Sequence, residues 1–219
     1  MTSAENSIIV ISGPVLQKCS DGTLRALTAI LNKGYDLPRY KFNAVQSDRV
    51  QDHESFCHDF GLDEEGTMLY LLVNDIKDIS SELKLIGTTG SYPLYSSDVP
   101  GHYNFSFENV LATIAYKTFP ASEIPNSFEV TAFTSFGKGC GIEIANATIE
   151  HFKKVHPSCD SLIAKVITNH DLVPYYEKKL NYIELDRITV PKKETVKAKF
   201  HDSFKIACDI QVATLKRMI

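Results

Sequence analysis

One stretch of this chain decides its fold: residues 128–152, whose sequence is FEVTAFTSFGKGCGIEIANATIEHF. Residues 128–134 are mostly apolar or β-branched, as is typical of a strand, and residues 142–152 place apolar side chains at helical intervals. Between them lies a turn with three glycines, Gly137, Gly139 and Gly141. A glycine turn between a strand and a helix points backbone N–H groups at an anion and lets that anion come close. The stretch therefore predicts a site for a phosphate-bearing ligand.

The spacing of these glycines excludes two common phosphate loops. The Walker loop needs G-x-x-x-x-G-K-[ST], which this chain lacks, and the dinucleotide loop G-x-G-x-x-G has its third glycine one residue later. Residues 136–141 instead resemble the pyrophosphate loop of the GNAT acyl-CoA-dependent N-acetyltransferases, Gln/Arg-x-x-Gly-x-Gly/Ala. Phe136 departs from that pattern, because the family has a polar side chain there. The backbone cradle does not depend on that side chain.

A second stretch strengthens the resemblance to this family. Residues 162–168 form a strand-like run, and Asn169 follows them before a short helix that ends in Leu180-Asn181-Tyr182. This resembles the strand, Asn, short helix and Leu-Gly-Phe ending of the GNAT enzymes. Asn181 replaces the glycine, which is physically sensible because Asn tolerates the left-handed backbone at a helix end. The resemblance extends over residues 128–190, about a third of the chain.

Membership of this family implies acetyl-CoA as the co-substrate. The resemblance places the pyrophosphate on the backbone N–H groups of Gly137, Lys138, Gly139, Cys140, Gly141 and Ile142. It places the pantetheine arm along the strand that contains Val130, Thr131, Ala132 and Phe133, where one backbone N–H polarises the thioester carbonyl. Asn169 is expected to hold the pantetheine amide. Its alternative role is to cap the helix that follows.

The resemblance also implies two proton movements, because the amine attacks the thioester directly and the thiolate of CoA departs. Tyr176 occupies the position of the family's general acid, and adjacent Tyr175 is the alternative. Glu129 is our candidate general base, since it lies on the strand nearest the thioester. His170 and Asp171 are close to the cofactor side, but such residues more often start a helix. Cys140 lies in the phosphate loop, where the pKa of a thiol can be low, but it is too far from the thioester to act as a nucleophile.

The rest of the sequence predicts an α/β fold: a mixed, mostly antiparallel central sheet flanked by helices, with the GNAT-like arrangement. We expect a single domain over residues 1–219, with an insert of uncertain structure at residues 91–127. The remaining predicted elements are a strand at residues 7–12, a helix from 24 that stops near 34, a helix at 49–60, antiparallel strands at 67–73 and 83–90, and a helix at 108–119.

Composition excludes several functional classes. The net charge is −4, and basic residues interleaved with aromatics are absent, so we expect no nucleic-acid partner. We also expect no membrane association, because no apolar run is long enough for a span and residues 1–6 do not resemble a signal peptide. Five cysteines without a framework spacing predict a cytoplasmic or nuclear protein. No pair of His or Cys side chains has the spacing of a metal site, so none is predicted.

Three functions remain open at this point. The first is an N-acetyltransferase that acts on a small-molecule amine, because the insert at 91–127 suggests a partly closed acceptor pocket. The second is acetylation of a protein N-terminus or lysine. The third is a CoA-binding sensor or partner protein that has lost catalysis, which the departure at Phe136 allows. We expect a monomer or a homodimer.

Overall fold

The computed structural model describes residues 6–97, 99–192 and 205–219, and its centre is one nine-stranded sheet. The strand order is β3-β4-β1-β2-β5-β6-β7-β9-β8. Pairs β1–β4 and β6–β7 are parallel and the other neighbours are antiparallel, which confirms the predicted mixed sheet. The strands are β1 (Ser7–Ser12), β2 (Met68–Val73), β3 (Lys84–Thr89), β4 (Tyr92–Ser96), β5 (Val110–Thr118), β6 (Ser127–Ser135), β7 (Ser161–Ile167), β8 (Ile183–Val190) and β9 (Ile210–Met218).

Helices cover both faces of the sheet, as predicted. They are α1 (Gly13–Leu16), α2 (Asp21–Phe42), α3 (Phe56–Phe60), α4 (Cys140–Val155) and α5 (Val173–Leu180), with 3₁₀ turns at His53–Ser55 and Thr168–His170. Leu27 of α2 and Phe60 of α3 belong to the core on one face, whereas Ile144 of α4 and Leu180 of α5 belong to the core on the other. None of the helices in the described ranges combines the length and the apolar character needed to cross a bilayer.

Strands β6 and β7 pair over only part of their length, and this creates an opening in the sheet. Their register runs from Ser127 opposite Ser161 to Val130 opposite Ala164, and the pairing ends there although both strands continue. Beyond that point the two strands separate. The opening lies beside the glycine turn that follows β6, so the sheet itself provides space next to the predicted phosphate site.

Two predictions about the sheet were wrong. Residues 83–90 do not pair with β2; they form β3, which pairs with β4 at the edge of the sheet. The predicted helix at 108–119 is strand β5, which lies between β2 and β6. Most of β5 is buried, and such an apolar run gives no clear period by which to distinguish a strand from a helix. The insert at 91–127 therefore contributes two strands to the sheet, β4 and the central strand β5.

Two helix predictions had the wrong bounds. Helix α2 does not stop near Gly34 but continues through Pro38 to Phe42, where Asn43 caps it with a left-handed backbone (φ 50°). The helix predicted at 49–60 is only the 3₁₀ turn at 53–55 followed by α3. Its predicted end at Gly61 is confirmed, with φ 63°. The left-handed end of α5 at Asn181, with φ 59°, is also confirmed.

Candidate functional site

The glycine turn has the backbone geometry of an anion site. Gly139 is the N-cap of α4 and has φ 87°, a left-handed conformation that favours glycine. The N–H groups of Cys140 and Ile142 close local turns onto the carbonyls of Gly137 and Gly139, at 3.2 and 2.9 Å. Among the described residues, the N–H groups of Gly137, Gly139 and Gly141, and that of Lys138, donate to no other group. Four free donors therefore remain at the start of a sixteen-residue helix.

Gly141 is required for close packing and also separates the two tyrosine candidates. A Cβ atom at this position would lie 2.9 Å from the Tyr175 hydroxyl oxygen and 3.2 Å from the Cβ of Ser135. Tyr175 therefore directs its hydroxyl to the first turn of α4. Tyr176, the next residue, lines a different space, the cavity at the opening between β6 and β7. The two neighbours consequently serve different ends of the candidate site.

Strand β6 contains a bulge at the opening. Thr113 of β5 pairs with Thr134, but Ala115 pairs with Thr131, so two residues of β6 face one residue of β5. Ala132 has φ 47°, which is uncommon for a residue other than glycine. The Thr113 hydroxyl donates to the carbonyl of Ala132 at 2.6 Å and so holds the bulge in place. A bulge releases backbone groups from the ladder.

The released N–H of Phe133 faces the hydroxyl of Tyr35, a residue of α2. Burial raises the pKa of that phenol, and the nearby Arg49 guanidinium and the Phe133 N–H oppose the rise. The Glu129 carboxylate is also close enough to act on the same hydroxyl. The bulge amide, a carboxylate and a guanidinium thus converge around one phenol.

A cavity of about 310 Å³ occupies the opening. It is lined by α2, the segment 45–59, strands β5, β6 and β7, and the start of α5. Among the residues predicted from the sequence, the structure brings these together in the lining: Glu129, Val130, Thr131, Phe133 and Tyr176. Ala132 is fully buried behind them.

Asn169 has a structural partner. Its side-chain carbonyl oxygen accepts a hydrogen bond from the backbone N–H of Gln211 at 3.0 Å, which joins the end of β7 to the start of β9. The capping role considered for Asn169 is wrong, because α5 begins after Leu172 without a side-chain cap. Its amide nitrogen is the part of the side chain left for the predicted pantetheine contact.

Tyr176 has the environment of a proton donor. Burial raises the pKa of its phenol well above the usual range, and the neighbouring tyrosines, Tyr182 first, raise it further. The Tyr176 ring meets Phe133 edge-on at 6.0 Å and Tyr182 at 5.3 Å between centroids. At neutral pH this phenol is protonated, as a general acid must be.

Glu129, the candidate base, forms an ion pair within the cavity wall, whereas Cys140 has no reactive thiol. The Glu129 carboxylate lies 3.6 Å from the ammonium of Lys117 on β5, and both side chains are partly buried. The low thiol pKa considered for Cys140 is wrong. Burial raises the pKa of this thiol, and the Glu143 carboxylate raises it further. Cys140 packs in the core as a small residue.

Sequence reasoning missed several residues of the cavity wall. Tyr35 and Arg49 come from segments more than 80 positions before the glycine turn, so no local motif connects them to it. Two acids of the segment 48–65, Asp48 and Asp59, also line the cavity. His170 lines it as well, and its Nε2 is buried without a hydrogen-bond partner in the described structure. Residues 48–65 contain seven acids and one base, Arg49. This single base was the one signal in the sequence that could have marked this wall.

The environment of Phe136 explains its departure from the family pattern. Its ring packs edge-on against Phe107, with centroids 6.2 Å apart. It also packs against the core below α2. An apolar side chain is therefore accommodated there by packing, and the free amides of the turn lie beyond it. In the parts of the chain that the structure describes, His, Cys, Asp and Glu side chains form no group of three able to hold a metal ion.

Comparison with known proteins gives one family and one fold. A family model described as "Sporulation protein RMD6" matches residues 1–219. Sporulation protein RMD6 of Saccharomyces cerevisiae is 34% identical over 229 residues, which cover 97% of this chain and 95% of the relative.

The solved structures that resemble this chain are distant in sequence. A ribosomal-protein-alanine N-acetyltransferase from Brucella melitensis superposes with a TM-score of 0.51 at 13% identity, over 96% of this chain and 99% of that one. A GNAT-family acetyltransferase from Staphylococcus aureus MU50 gives 0.50 at 12% identity, over 97% and 99%. At such identities the likeness concerns the fold, which is the GNAT acyltransferase fold.

Proposed function

Because this chain belongs to the RMD6 family of sporulation proteins and has the GNAT fold, we propose that it is an acetyl-CoA-dependent N-acetyltransferase. It transfers the acetyl group to a primary amine by direct attack in a ternary complex, and the acceptor is a small-molecule amine. One observation carries the proposal: a bulge amide, a protonated tyrosine and a carboxylate meet in one cavity. The glycine turn with free N–H groups begins four residues after Phe133, at the end of the same strand.

The glycine turn binds the pyrophosphate of the co-substrate. The free amides of Gly137, Gly139 and Gly141, with that of Lys138, supply donors to the phosphate oxygens. The N-terminus of α4 adds the favourable end of a helix dipole. Because these donors belong to the backbone, the apolar Phe136 does not weaken them. The opening between β6 and β7 then receives the pantetheine arm, with unpaired backbone of β6 along one side.

Each step of the proposed transfer uses a different residue of the cavity. The Phe133 N–H donates to the thioester oxygen, in place of the Tyr35 hydroxyl that faces it here. The amine nitrogen forms a bond to the carbonyl carbon, and the bond from that carbon to sulfur breaks. Tyr176 gives its proton to the departing thiolate. Glu129 receives the proton that the amine loses, directly or through a water molecule.

Two observations favour other functions of the same site. Leu37 and Tyr40 on α2 are 67% and 73% exposed, close to residues that line the cavity, and such apolar side chains suit a protein acceptor. The Tyr35 hydroxyl lies beside the N–H of Phe133, which suits a protein that binds CoA without catalysis. Both are alternatives to the small-molecule enzyme.

Calorimetric titration with acetyl-CoA tests the proposal, with Gly139→Glu as the disabling variant. A glutamate there places a side chain and a negative charge against the pyrophosphate and strains a left-handed backbone, so binding should disappear. Ala121→Glu is the matched control, because it adds the same charge in an exposed turn at the opposite end of β6. Wild type and Ala121→Glu should bind alike. Failure of the wild-type protein to bind acetyl-CoA or CoA would refute the proposal.

Binding alone does not separate an enzyme from a sensor. A thiol-release assay with a panel of primary amines makes that distinction, and Tyr176→Phe is the variant to compare. Release of CoA that depends on both an amine and Tyr176 supports the enzyme. Tight binding of acetyl-CoA without amine-dependent release supports the sensor.

A further inference from the structure

The cavity wall contains cations that differ in how their charge is compensated. Arg39 of α2 pairs with Asp36 at 2.6 Å and with Asp48. Lys117 of β5 pairs with Glu129 at 3.6 Å. These two cations are each matched by at least one carboxylate of the cavity wall. The positive charges of Arg39 and Lys117 are therefore already neutralised by carboxylates of the protein.

Two other cations of the wall have no carboxylate partner in the described part of the chain. Lys165 is exposed at the rim, and its ammonium lies 5.0 Å from the centre of the Phe119 ring. Arg49 is half-buried within the wall and forms no ion pair. An exposed ammonium is solvated at little cost, but a half-buried guanidinium loses part of its hydration, and among the described residues no carboxylate lies within ion-pair distance of Arg49 to offset its charge. Arg49 is therefore the unmatched charge inside the cavity.

Two contacts hold the Arg49 guanidinium in place. One nitrogen donates to the backbone carbonyl of Asp59 at 2.9 Å. The guanidinium carbon lies 4.6 Å from the centre of the Phe60 ring, and the Tyr35 hydroxyl lies nearby. A guanidinium has five N–H donors in a rigid fork, so these contacts orient it while leaving donors available. An oriented, unmatched guanidinium recognises a carboxylate or a phosphate.

We propose that Arg49 binds an anionic group of the acceptor, so that the substrate is a small amine that also carries a carboxylate or a phosphate. This inference rests on the proposed acetyltransferase function and names its substrate class. Tyr35 lies close to both Arg49 and Glu129, which places the anion site and the candidate base within one small cavity. A molecule that anchors its anion on Arg49 can present its amine to Glu129 and to the thioester carbonyl carbon held at the bulge amide. A plain alkyl amine would leave the Arg49 charge uncompensated.

The neighbouring carboxylates define how the amine end is recognised. Asp59 accepts a hydrogen bond from the Ser55 hydroxyl at 2.7 Å and lines the cavity next to the Arg49 contact. Asp59 and Glu129 line the same cavity as the guanidinium and give its wall negative charge. A zwitterionic acceptor matches this arrangement of one unmatched cation and adjacent acids better than a dianion does.

Calorimetry on the CoA-bound protein tests the inference without depending on turnover. The probes are two matched pairs of reaction products. N-acetyl-L-phenylalanine is compared with N-acetyl-L-phenylalaninamide, and N-acetyl-O-phosphoethanolamine with N-acetylethanolamine. At least one anionic member should bind about 10- to 100-fold more tightly than its neutral match, the range for a hydrogen-bonded charged pair. The pair that shows the difference distinguishes a carboxylate from a phosphate.

Arg49→Gln should abolish that preference while acetyl-CoA affinity stays within about twofold. Arg49→Lys keeps the charge but not the fork, so it should retain part of the preference and also show whether a loss reflects misfolding. Arg25→Gln, the same change at an exposed arginine of α2, should have no effect. If CoA binds but neither anionic probe exceeds its neutral match, or if the preference survives Arg49→Gln, the inference is wrong. If CoA itself does not bind, the proposed function fails first.

Discussion

Gly34→Ala should destabilise the protein, although alanine is the better helix former. Gly34 lies in the middle of α2, where the helix crosses β6. A Cβ atom at this position would lie 2.5 Å from both the Cβ and the Cγ2 of Thr134. Thr134 is itself held by a hydrogen bond between its hydroxyl and that of Thr113, at 2.9 Å. The helix and the strand are therefore in contact at their backbones, and glycine allows it.

Two opposing effects decide the magnitude. Replacing a glycine inside a helix by alanine stabilises the helix by about 1 kcal/mol. Relieving the clash requires α2 to move away from β6 by about 1 Å, because ordinary Cβ contacts begin near 3.4 Å. Overpacking of this kind costs about 1–3 kcal/mol, and here the clashing atoms lie near the backbone and cannot rotate away. We expect a net loss of up to about 2 kcal/mol, or a melting temperature lower by up to roughly 6 °C for a chain of this length.

Thermal and urea unfolding followed by circular dichroism measure this change. Gly22→Ala is the control in the same helix, because Gly22 is exposed and its added Cβ would meet the exposed His102 imidazole at 3.0 Å and the Ser20 Oγ at an ordinary 3.9 Å. That variant should be neutral or slightly more stable. A Gly34→Ala protein at least as stable as wild type would show that α2 does not depend on this close approach. Because Tyr35 follows Gly34, the same variant should also weaken ligand binding in the cavity.

Three further predictions concern the cavity residues. Tyr176→Phe should lower turnover about 10²- to 10⁴-fold while the affinity for acetyl-CoA is nearly unchanged, as expected of a general acid. Tyr175→Phe should instead act mainly on the affinity for acetyl-CoA. Steady-state kinetics measure the first effect and calorimetry the second. Glu129→Gln should shift the acid limb of the kcat/KM profile if this carboxylate is the base, and an unchanged profile would remove it from the mechanism. Burial lowers the pKa of His170 below its usual 6.5, so the unfolded chain takes up a proton at this residue before the folded protein does. The free energy of unfolding should therefore fall as the pH drops below about 6.5. In urea titrations, His170→Gln should make that fall less steep.

The sequence was sufficient to predict the local backbone geometry of the candidate site. The glycine turn, the strand before it and the helix after it are contiguous, and each has a strong preference for its conformation. Asn181 likewise ends α5 with the left-handed backbone that its side chain tolerates. The general acid candidate Tyr176 follows from its distance along the chain from Asn169. These residues depend little on how the rest of the chain folds.

The rest of the site depends on contacts between segments distant in sequence. Ala132 has no property that marks a bulge, because alanine is ordinary in a strand and the left-handed backbone results from pairing with β5. Strand β5 itself was predicted as a helix, so the partner that defines the bulge was missing. Tyr35 was predicted only as an apolar residue at helical spacing, at the end of a helix expected to stop near Gly34. That glycine is explained by the close approach to Thr134 and not by a helix end.

These departures from local rules lie together around the cavity. A glycine and a proline inside α2, at Gly34 and Pro38, and a left-handed Ala132 inside β6 each cost stability where they occur. The glycine brings α2 against β6, which puts Tyr35 opposite the Phe133 N–H that the bulge releases. Natural sequences retain such costs mainly where function requires them. The same backbone contact thus explains both the unusual residues and the convergence of groups, which is the reason for placing the chemistry at the opening between β6 and β7.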